Sequence, residues 1–295
     1  MRLLTFLALA VVLAIKAVPA QAAVQTLHSE RSLYRNIFVT DDDGLRCLTF
    51  RRFVGGHRQT CMRMSDPNEL VFPYAKMMLG VLAIDPHPKH VLIVGLGGGT
   101  LPSNLRRMAP DADIEVVELD PAVVKVAKQF FDFQTGPKLN VTTEDGRVFV
   151  KKALKNGTQY DLIMLDAFED DYIPEHLLTK EFLTEVKGIL TPDGVLAANT
   201  FSSSKLYPYE SATYAAVFGD FYNLVMANRI IWAQPGKLTD RATLRANAEM
   251  MAPEFEKRGY SVNWLMDIPT TARDWPADTR ILTDQYSPSN LLNGK

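Results

Sequence analysis

The chain has 295 residues, 47% of them hydrophobic and 22% charged, which is the composition of an ordinary globular protein with a sizeable core. Its 32 basic and 34 acidic residues nearly cancel, and no block of lysine or arginine stands out. That balance excludes the electrostatic footprint of a nucleic-acid binder, so nucleic acid is not an expected partner.

Residues 1–22 read as a leader. Arg2 supplies positive charge, Leu3 to Ile15 form an apolar run, and Ala20, Gln21 and Ala22 give the small-x-small pattern that precedes a signal-peptidase cut. The run is short for a membrane span and Lys16 interrupts it, so export to the periplasm with cleavage near Ala22 and Ala23 is expected, without a lasting anchor. A helix of the folded domain is the competing reading, but the run lacks the polar face of a surface helix.

From 23 to 85 the pattern predicts a small antiparallel sheet and a linking helix. Strand-like runs at Asn36 to Val39, Arg46 to Phe53 and Gln59 to Arg63 are broken by DDDG and GG, and a helix is expected from Asn68 to Ile84. Cys47 and Cys61 are the only cysteines. If the chain folds back about Val54, they face each other across a hairpin, and an oxidising compartment would close them into a disulfide. In a reducing compartment they would pack as two small hydrophobes.

Residues 86–295 alternate strands with helical stretches. Strands are expected at His90 to Val94, Ile114 to Leu119, Asn140 to Thr143, Asp161 to Leu165 and Gly194 to Thr200. Helices are expected at Pro102 to Met108, Pro121 to Phe131, Arg147 to Lys155 and Pro174 to Leu190. Such alternation predicts an α/β fold with a doubly wound, mostly parallel sheet. One helix, a single β-type run from Tyr222 to Trp232 and a polar helical section complete the chain.

The first strand runs into VGLGGGT. Ligands of open parallel sheets bind at the carboxyl ends of the strands, and Gly95, Gly97 and Gly99 would let the backbone approach one there. The spacing is G-x-G-x-G. The dinucleotide fingerprint G-x-G-x-x-G would need glycine where Thr100 stands, and Pro102 removes an amide that a pyrophosphate would use. Glu118, about twenty residues on at the end of the second strand, is placed to accept the hydroxyls of a ribose. Together these features favour an adenosine unit without phosphates. Asp145 is placed to hold the adenine amino group beside Gly146, or simply to cap the helix that starts there. Asp166 ends the fourth strand where this fold puts its chemistry, and Asn199 ends the fifth, where its amide would reach a substrate. The histidines lack metal-ligand spacing, and no metal is expected.

With SLYRNIFV, DPNELVFPYAKMM, VLIVGLGGGTL, VVELDPAVVKVAKQFF, TEDGRVFV, YDLIMLDAF, IPEHLLTKEFL and LTDQYSP, the chain resembles the polyamine aminopropyltransferases, the spermidine synthase-like family within the class I methyltransferase superfamily. The resemblance runs from about Ser32 to Leu291. It implies a Rossmann-like catalytic domain, an amino-terminal β-domain and a homodimer. It implies decarboxylated S-adenosylmethionine as cofactor, with Glu118 on its ribose and Asp145 on its adenine. Asp166 would be the base that deprotonates a putrescine-like amine, and Tyr74 would line the amine channel. The family motif G-G-G-D-G has Gly98 here in place of its aspartate, Ala75 follows the channel tyrosine, and Glu169 would stand in for a second carboxylate after Asp166. Two alternatives stay open: a methyltransferase using ordinary S-adenosylmethionine, and an exported binding protein that keeps the fold without catalysis.

Overall fold

The computed structural model describes residues 24–52, 58–167 and 173–288. The segment 1–22 expected to be a leader, and Glu169, lie outside the described residues. Among those described, no helix is long and apolar enough to cross a membrane.

The first body is a four-stranded antiparallel sheet in the order β1 (Gln25–Arg31), β2 (Asn36–Asp42), β3 (Leu45–Thr49), β4 (Arg58–Arg63). Strand β1 was not expected. QTLHSER carries a single large apolar residue, because an edge strand has little to bury and its ladder to β2 is mostly backbone. Asp43 and Gly44 both take positive φ, +49° and +74°, as a two-residue hairpin turn requires. On the next hairpin Cys47 and Cys61 are direct cross-strand partners, their α-carbons 4.1 Å apart, and they form the expected disulfide. Ile37, Val39, Leu48 and Met62 pack against Val123, Val126 and Phe131, which seats this sheet on a helix of the second body.

The linking helix begins later than expected. α1 spans Pro73–Leu79 and passes into a 3-10 turn, Gly80–Ala83. Phe72 precedes proline and is extended (φ −98°, ψ 135°), the conformation that position favours, so the helix cannot run through it from Asn68. Met77 through Ala83 are wholly buried, as a helix apolar on every side should be.

The second body is a seven-stranded sheet. Its elements are β5 (His90–Val94), α2 (Thr100–Met108), β6 (Asp113–Glu118), α3 (Pro121–Phe130), β7 (Leu139–Thr143), α4 (Gly146–Asn156), β8 (Tyr160–Leu165), α5 (Lys180–Gly188), β9 (Leu190–Phe201), α6 (Tyr207–Phe218), β10 (Tyr222–Val225) and β11 (Asn228–Ala233), followed by α7 (Arg241–Met250), α8 (Ala252–Glu256) and α9 (Val262–Met266). The order is β10-β11-β9-β8-β5-β6-β7. Strands β5 to β9 pair in parallel, and β11 runs antiparallel to both its neighbours. The doubly wound α/β fold expected from alternation is present. Strand β5 lies between β6 and β8, so the chain reverses its direction of winding there and leaves a crevice at the carboxyl ends of β5 and β8. One core covers the face under α1, α2 and α7, the other the face under α4, α5 and α6.

Two segments depart from the sequence reading. The helix expected from Pro174 to Leu190 is a 3-10 turn, Glu175–Leu177, followed by α5; Thr179 interrupts it by accepting the Phe182 amide in an N-cap. The run Tyr222 to Trp232 is a hairpin, β10 and β11, turning at Met226 and Ala227, residues that carry none of the usual turn chemistry. That hairpin sets Asn228 opposite Phe201, at the carboxyl end of β9.

Beneath the sheet, Arg229 donates to Asn223 Oδ1 and Ser211 Oγ at 2.7 Å each and lies over the Tyr207 ring. Glu210 is buried nearby, neither of its carboxyl oxygens has a hydrogen-bond partner among the described residues, and desolvation pushes its pKa to about 7.

Candidate active site

The crevice is a cavity of about 740 Å³ that collects residues from both bodies. Gly95, Gly97, Glu118, Asp145, Gly146, Asp166, Tyr74 and Asn199 all line it. Gly99 does not. At φ +81° it turns the chain into α2, and a β-carbon on it would lie 2.6 Å from the Phe133 ring, so its glycine serves the turn and its packing.

The floor is built by backbone approach. Gly95 has φ +101°, and a β-carbon there would meet the Asp166 carbonyl oxygen at 2.4 Å. Gly146 opens α4 against β5, where a β-carbon would meet Val94 at 2.5 Å. Glu118 is 8% exposed and organises this floor: Oε2 accepts the Leu96 amide at 3.0 Å and Oε1 the Asp120 amide at 2.9 Å. Burial raises its pKa, and the two amides with nearby Arg35 oppose that rise. Each oxygen keeps a further lone pair for a ligand hydroxyl.

Asp145 fulfils its capping reading while facing the cavity. Oδ1 accepts the Val148 amide at 2.9 Å, and Oδ2 lies 3.0 Å from Nε2 of His176. The His176 carbonyl in turn accepts from Arg147, whose guanidinium also holds Glu185 and, at 2.7 and 2.8 Å, both oxygens of Asp284. The carboxyl-terminal LTDQYSP segment is thereby tied to the wall of the cavity.

At the end of β8, the carboxyl group of Asp166 is enclosed, and desolvation pushes its pKa to about 7 against the pull of one hydrogen bond from Asn199. Asn199 Nδ2 donates to Asp166 Oδ1 at 2.8 Å, and Asn228 Nδ2 donates to Asn199 Oδ1 at 3.3 Å. Asn199 thus spends its amide on the acid. Tyr74 donates to the Gln59 carbonyl at 3.3 Å, and burial together with the Asp166 charge raises its pKa well above the usual phenol value.

The position of the family's turn aspartate is not open space. A β-carbon on Gly98 would lie 2.7 Å from Thr60 Cγ2 and 3.1 Å from the Phe131 ring. Strand β4 places a threonine there, and Thr60 Oγ1 accepts the Gly98 amide at 3.0 Å.

A family profile, the spermine/spermidine synthase domain, matches residues 71–224. A polyamine aminopropyltransferase of Vibrio vulnificus is 43% identical over 272 residues, covering 90% of this chain and 91% of that protein. The chain belongs to the spermine/spermidine synthase family. Among solved structures, spermidine synthase from Thermotoga maritima aligns with a TM-score of 0.62 at 20% identity, covering 84% of each chain, which is a likeness of fold. Human methyltransferase-like protein 13, solved in complex with SAH, aligns at 0.58 and 29% identity over 66% of this chain and 98% of its own.

Residues that the sequence did not single out also line the cavity: Arg35, Gln59, Thr60, His176 and Asn228. Thr60 carried one usable signal, its place beside Cys61. The others reach the site only through sheet stacking and the unforeseen hairpin. Among the described residues, no cluster of three metal-ligating side chains occurs. The residues fit an adenosyl group: a glycine floor with no room for side chains, Glu118 with spare lone pairs, and Asp145 with Gly146, which packs against Val94.

Proposed function

We propose that the chain transfers an aminopropyl group from decarboxylated S-adenosylmethionine to a small, putrescine-like amine, a step of polyamine biosynthesis. The observation that carries this reading is the Asp166 carboxyl group. It stands enclosed at the floor of the cavity, beside the Gly95 cradle, with a proton affinity near neutrality and one oxygen already fixed by Asn199.

The bound donor supplies a sulfonium whose adjacent carbon is open to displacement. Gly95 and Gly97 would admit it against the backbone, Glu118 would take the ribose hydroxyls, and Asp145 with Gly146 the adenine edge. Asp166 accepts the proton that the attacking amine must lose, which keeps the nitrogen lone pair available. Tyr74 walls the amine's approach, and holding amine and donor in line supplies much of the acceleration. Glu169, outside the described residues, would add negative charge for a cationic acceptor.

The test is product analysis by mass spectrometry with decarboxylated S-adenosylmethionine and putrescine, run beside ordinary S-adenosylmethionine. Spermidine with methylthioadenosine supports the reading, and S-adenosylhomocysteine with a methylated amine replaces it by methyl transfer. That second reading has one observation in its favour, the absence of an acid at Gly98, where the donor's amino group would otherwise find a counter-charge. Binding of neither donor leaves the exported binding protein.

Two further parts of the reading concern setting. The leader and the Cys47–Cys61 disulfide support export to the periplasm, tested by the amino-terminal sequence of the mature protein, with a start near Ala23 expected. Membership of the family supports a homodimer, which sedimentation equilibrium would test.

A further inference from the structure

Strand β4 touches the cavity with three consecutive residues. Arg58 lines it, the Gln59 carbonyl accepts the Tyr74 hydroxyl, and Thr60 reaches the glycine turn. Thr60 is 4% exposed, and its hydroxyl oxygen serves two neighbours at once: it accepts the Gly98 amide at 3.0 Å and lies 2.7 Å from where a Gly97 β-carbon would be. Gly97 takes φ +54°, a conformation open to glycine, and the amide of the following Gly98 takes its partner from outside the turn's own strand and helix. That support comes from a different sheet, thirty-eight residues earlier in the chain.

The next residue is Cys61. Its disulfide to Cys47 joins β3 and β4 directly beside Thr60, within a ladder that ends at the pairing of Arg58 with Thr49. Beyond Thr60 toward residue 58 the ladder register shifts between Leu48 and Thr49, so regular pairing weakens on that side, and the covalent link stands one residue away. Cys61 also lines a second cavity of about 290 Å³, together with Gly98, Gly99, Ser103 and Phe131. Cys61 therefore borders a recess although both cysteines are buried.

We propose that Thr60 is a positioning residue for the donor's glycine turn, and that the Cys47–Cys61 disulfide holds it there, so that donor affinity falls when the disulfide is reduced. The inference rests on the donor reading given under Proposed function for its effect on binding, while the contact between Thr60 and the turn is independent of it. Reduction needs a dithiol. One thiolate attacks a disulfide sulfur, the S–S bond breaks to a mixed disulfide, and the second thiol displaces the other protein sulfur; the protein gains two thiols as the reagent closes into its own disulfide. Oxidising conditions would keep the turn supported, and reducing ones would loosen it.

The experiment pairs two measurements on the full mature protein: hydrogen exchange of the peptide that contains Gly97 to Gly99, and calorimetric binding of methylthioadenosine. Thr60→Val keeps the shape and removes the acceptor; Thr60→Ser keeps the acceptor. Faster exchange of the turn and roughly fivefold weaker methylthioadenosine binding are expected for Thr60→Val, the loss of about one hydrogen bond, with both restored in Thr60→Ser. Dithiothreitol and the double variant Cys47→Ala with Cys61→Ala should reproduce the Thr60→Val phenotype, and dithiothreitol should have no added effect on Thr60→Val. Unchanged turn exchange in Thr60→Val, or in both the reduced protein and the cysteine variant, overturns the proposal. If the wild type binds no methylthioadenosine while turn exchange still responds, the donor reading falls and the Thr60 support of the turn is upheld.

Discussion

Asn199 donates one amide hydrogen to Asp166 at 2.8 Å and takes up its own carbonyl oxygen with Asn228, so the acid at the end of β8 is oriented by a neighbour that is itself oriented. A carboxylate held in this way has Oδ1 committed to Asn199, while the residue lines the cavity. On the proposed mechanism its anchor, Oδ1, leaves Oδ2 to take the proton.

Asp166→Asn should therefore abolish amine transfer while sparing the donor site. Turnover is expected to drop by roughly two to four orders of magnitude on loss of the proton acceptor, with the methylthioadenosine dissociation constant within about twofold of wild type. Steady-state kinetics beside calorimetric binding would separate the two effects. Wild-type turnover in this variant would remove Asp166 from the mechanism.

The pH profile should report the same group. With the Asp166 pKa at about 7 in the free protein, kcat/KM should climb about tenfold per unit below that value and level off above it. The Asn199 hydrogen bond lowers this pKa, so Asn199→Leu should shift the acid limb to higher pH. A limb that stays in place would mean that another group controls it.

Stability should move with pH in the direction set by buried acids. The carboxyl groups of Glu210 and Asp166 both have folded pKa values raised to about 7 by desolvation, above those of the unfolded chain. Their contribution is fully present below the unfolded pKa near 4 and is lost as pH rises through about 7, because the folded state must then ionise them without full hydration. Glu210→Gln should leave the thermal midpoint near that of wild type at pH 5 and raise it at pH 8, with a difference on the order of 1–3 kcal/mol. Calorimetric melts at the two pH values would decide.

The Arg147 guanidinium ties the carboxyl-terminal segment to the wall of the cavity beside Asp145 through Asp284, Glu185 and the His176 carbonyl. These partners hold its pKa above the ordinary arginine value. Arg147→Met should destabilise the fold by about 2–3 kcal/mol, since two carboxylates lose their common cation. Chemical denaturation would measure the loss, and limited proteolysis after residue 270 should quicken.

Restoring the family's aspartate should fail by itself. Gly98→Asp drives a β-carbon into Thr60 Cγ2, so a loss of roughly 1–3 kcal/mol without a gain in turnover is expected. Adding Thr60→Ser removes the obstructing methyl and should recover part of that stability. A single Gly98→Asp variant as stable as wild type would show that the turn repacks freely.

Much of this was legible in the chain because the parallel strands β5, β6 and β8 are largely buried apolar runs leading into glycine or acid, and Glu118 and Asp166 inherit their places from those ends, while Asp145 follows the partly exposed β7 as the cap of α4. The Cys47–Cys61 pairing followed from hairpin arithmetic. What escaped has physical reasons. β1 is a polar edge strand with only Leu27 to bury, and Met226 with Ala227 make a turn without glycine, proline or asparagine at its centre, so Asn228 could not be placed beside Asn199. His176 and Thr60 are brought to the site by tertiary packing, to which local periodicity is blind.

The 2.4 Å between the position of a Gly95 β-carbon and the Asp166 carbonyl leaves no thickness for even a methyl group between the glycine turn and the end of β8. Those two strand ends are consequently interlocked, and a change in one displaces the other. Adaptation to a longer or differently charged amine is barred from that seam, so diversification of acceptor choice within this architecture has to be written in the walls, on β4 and around Asn228, where side chains rather than main chain meet the guest.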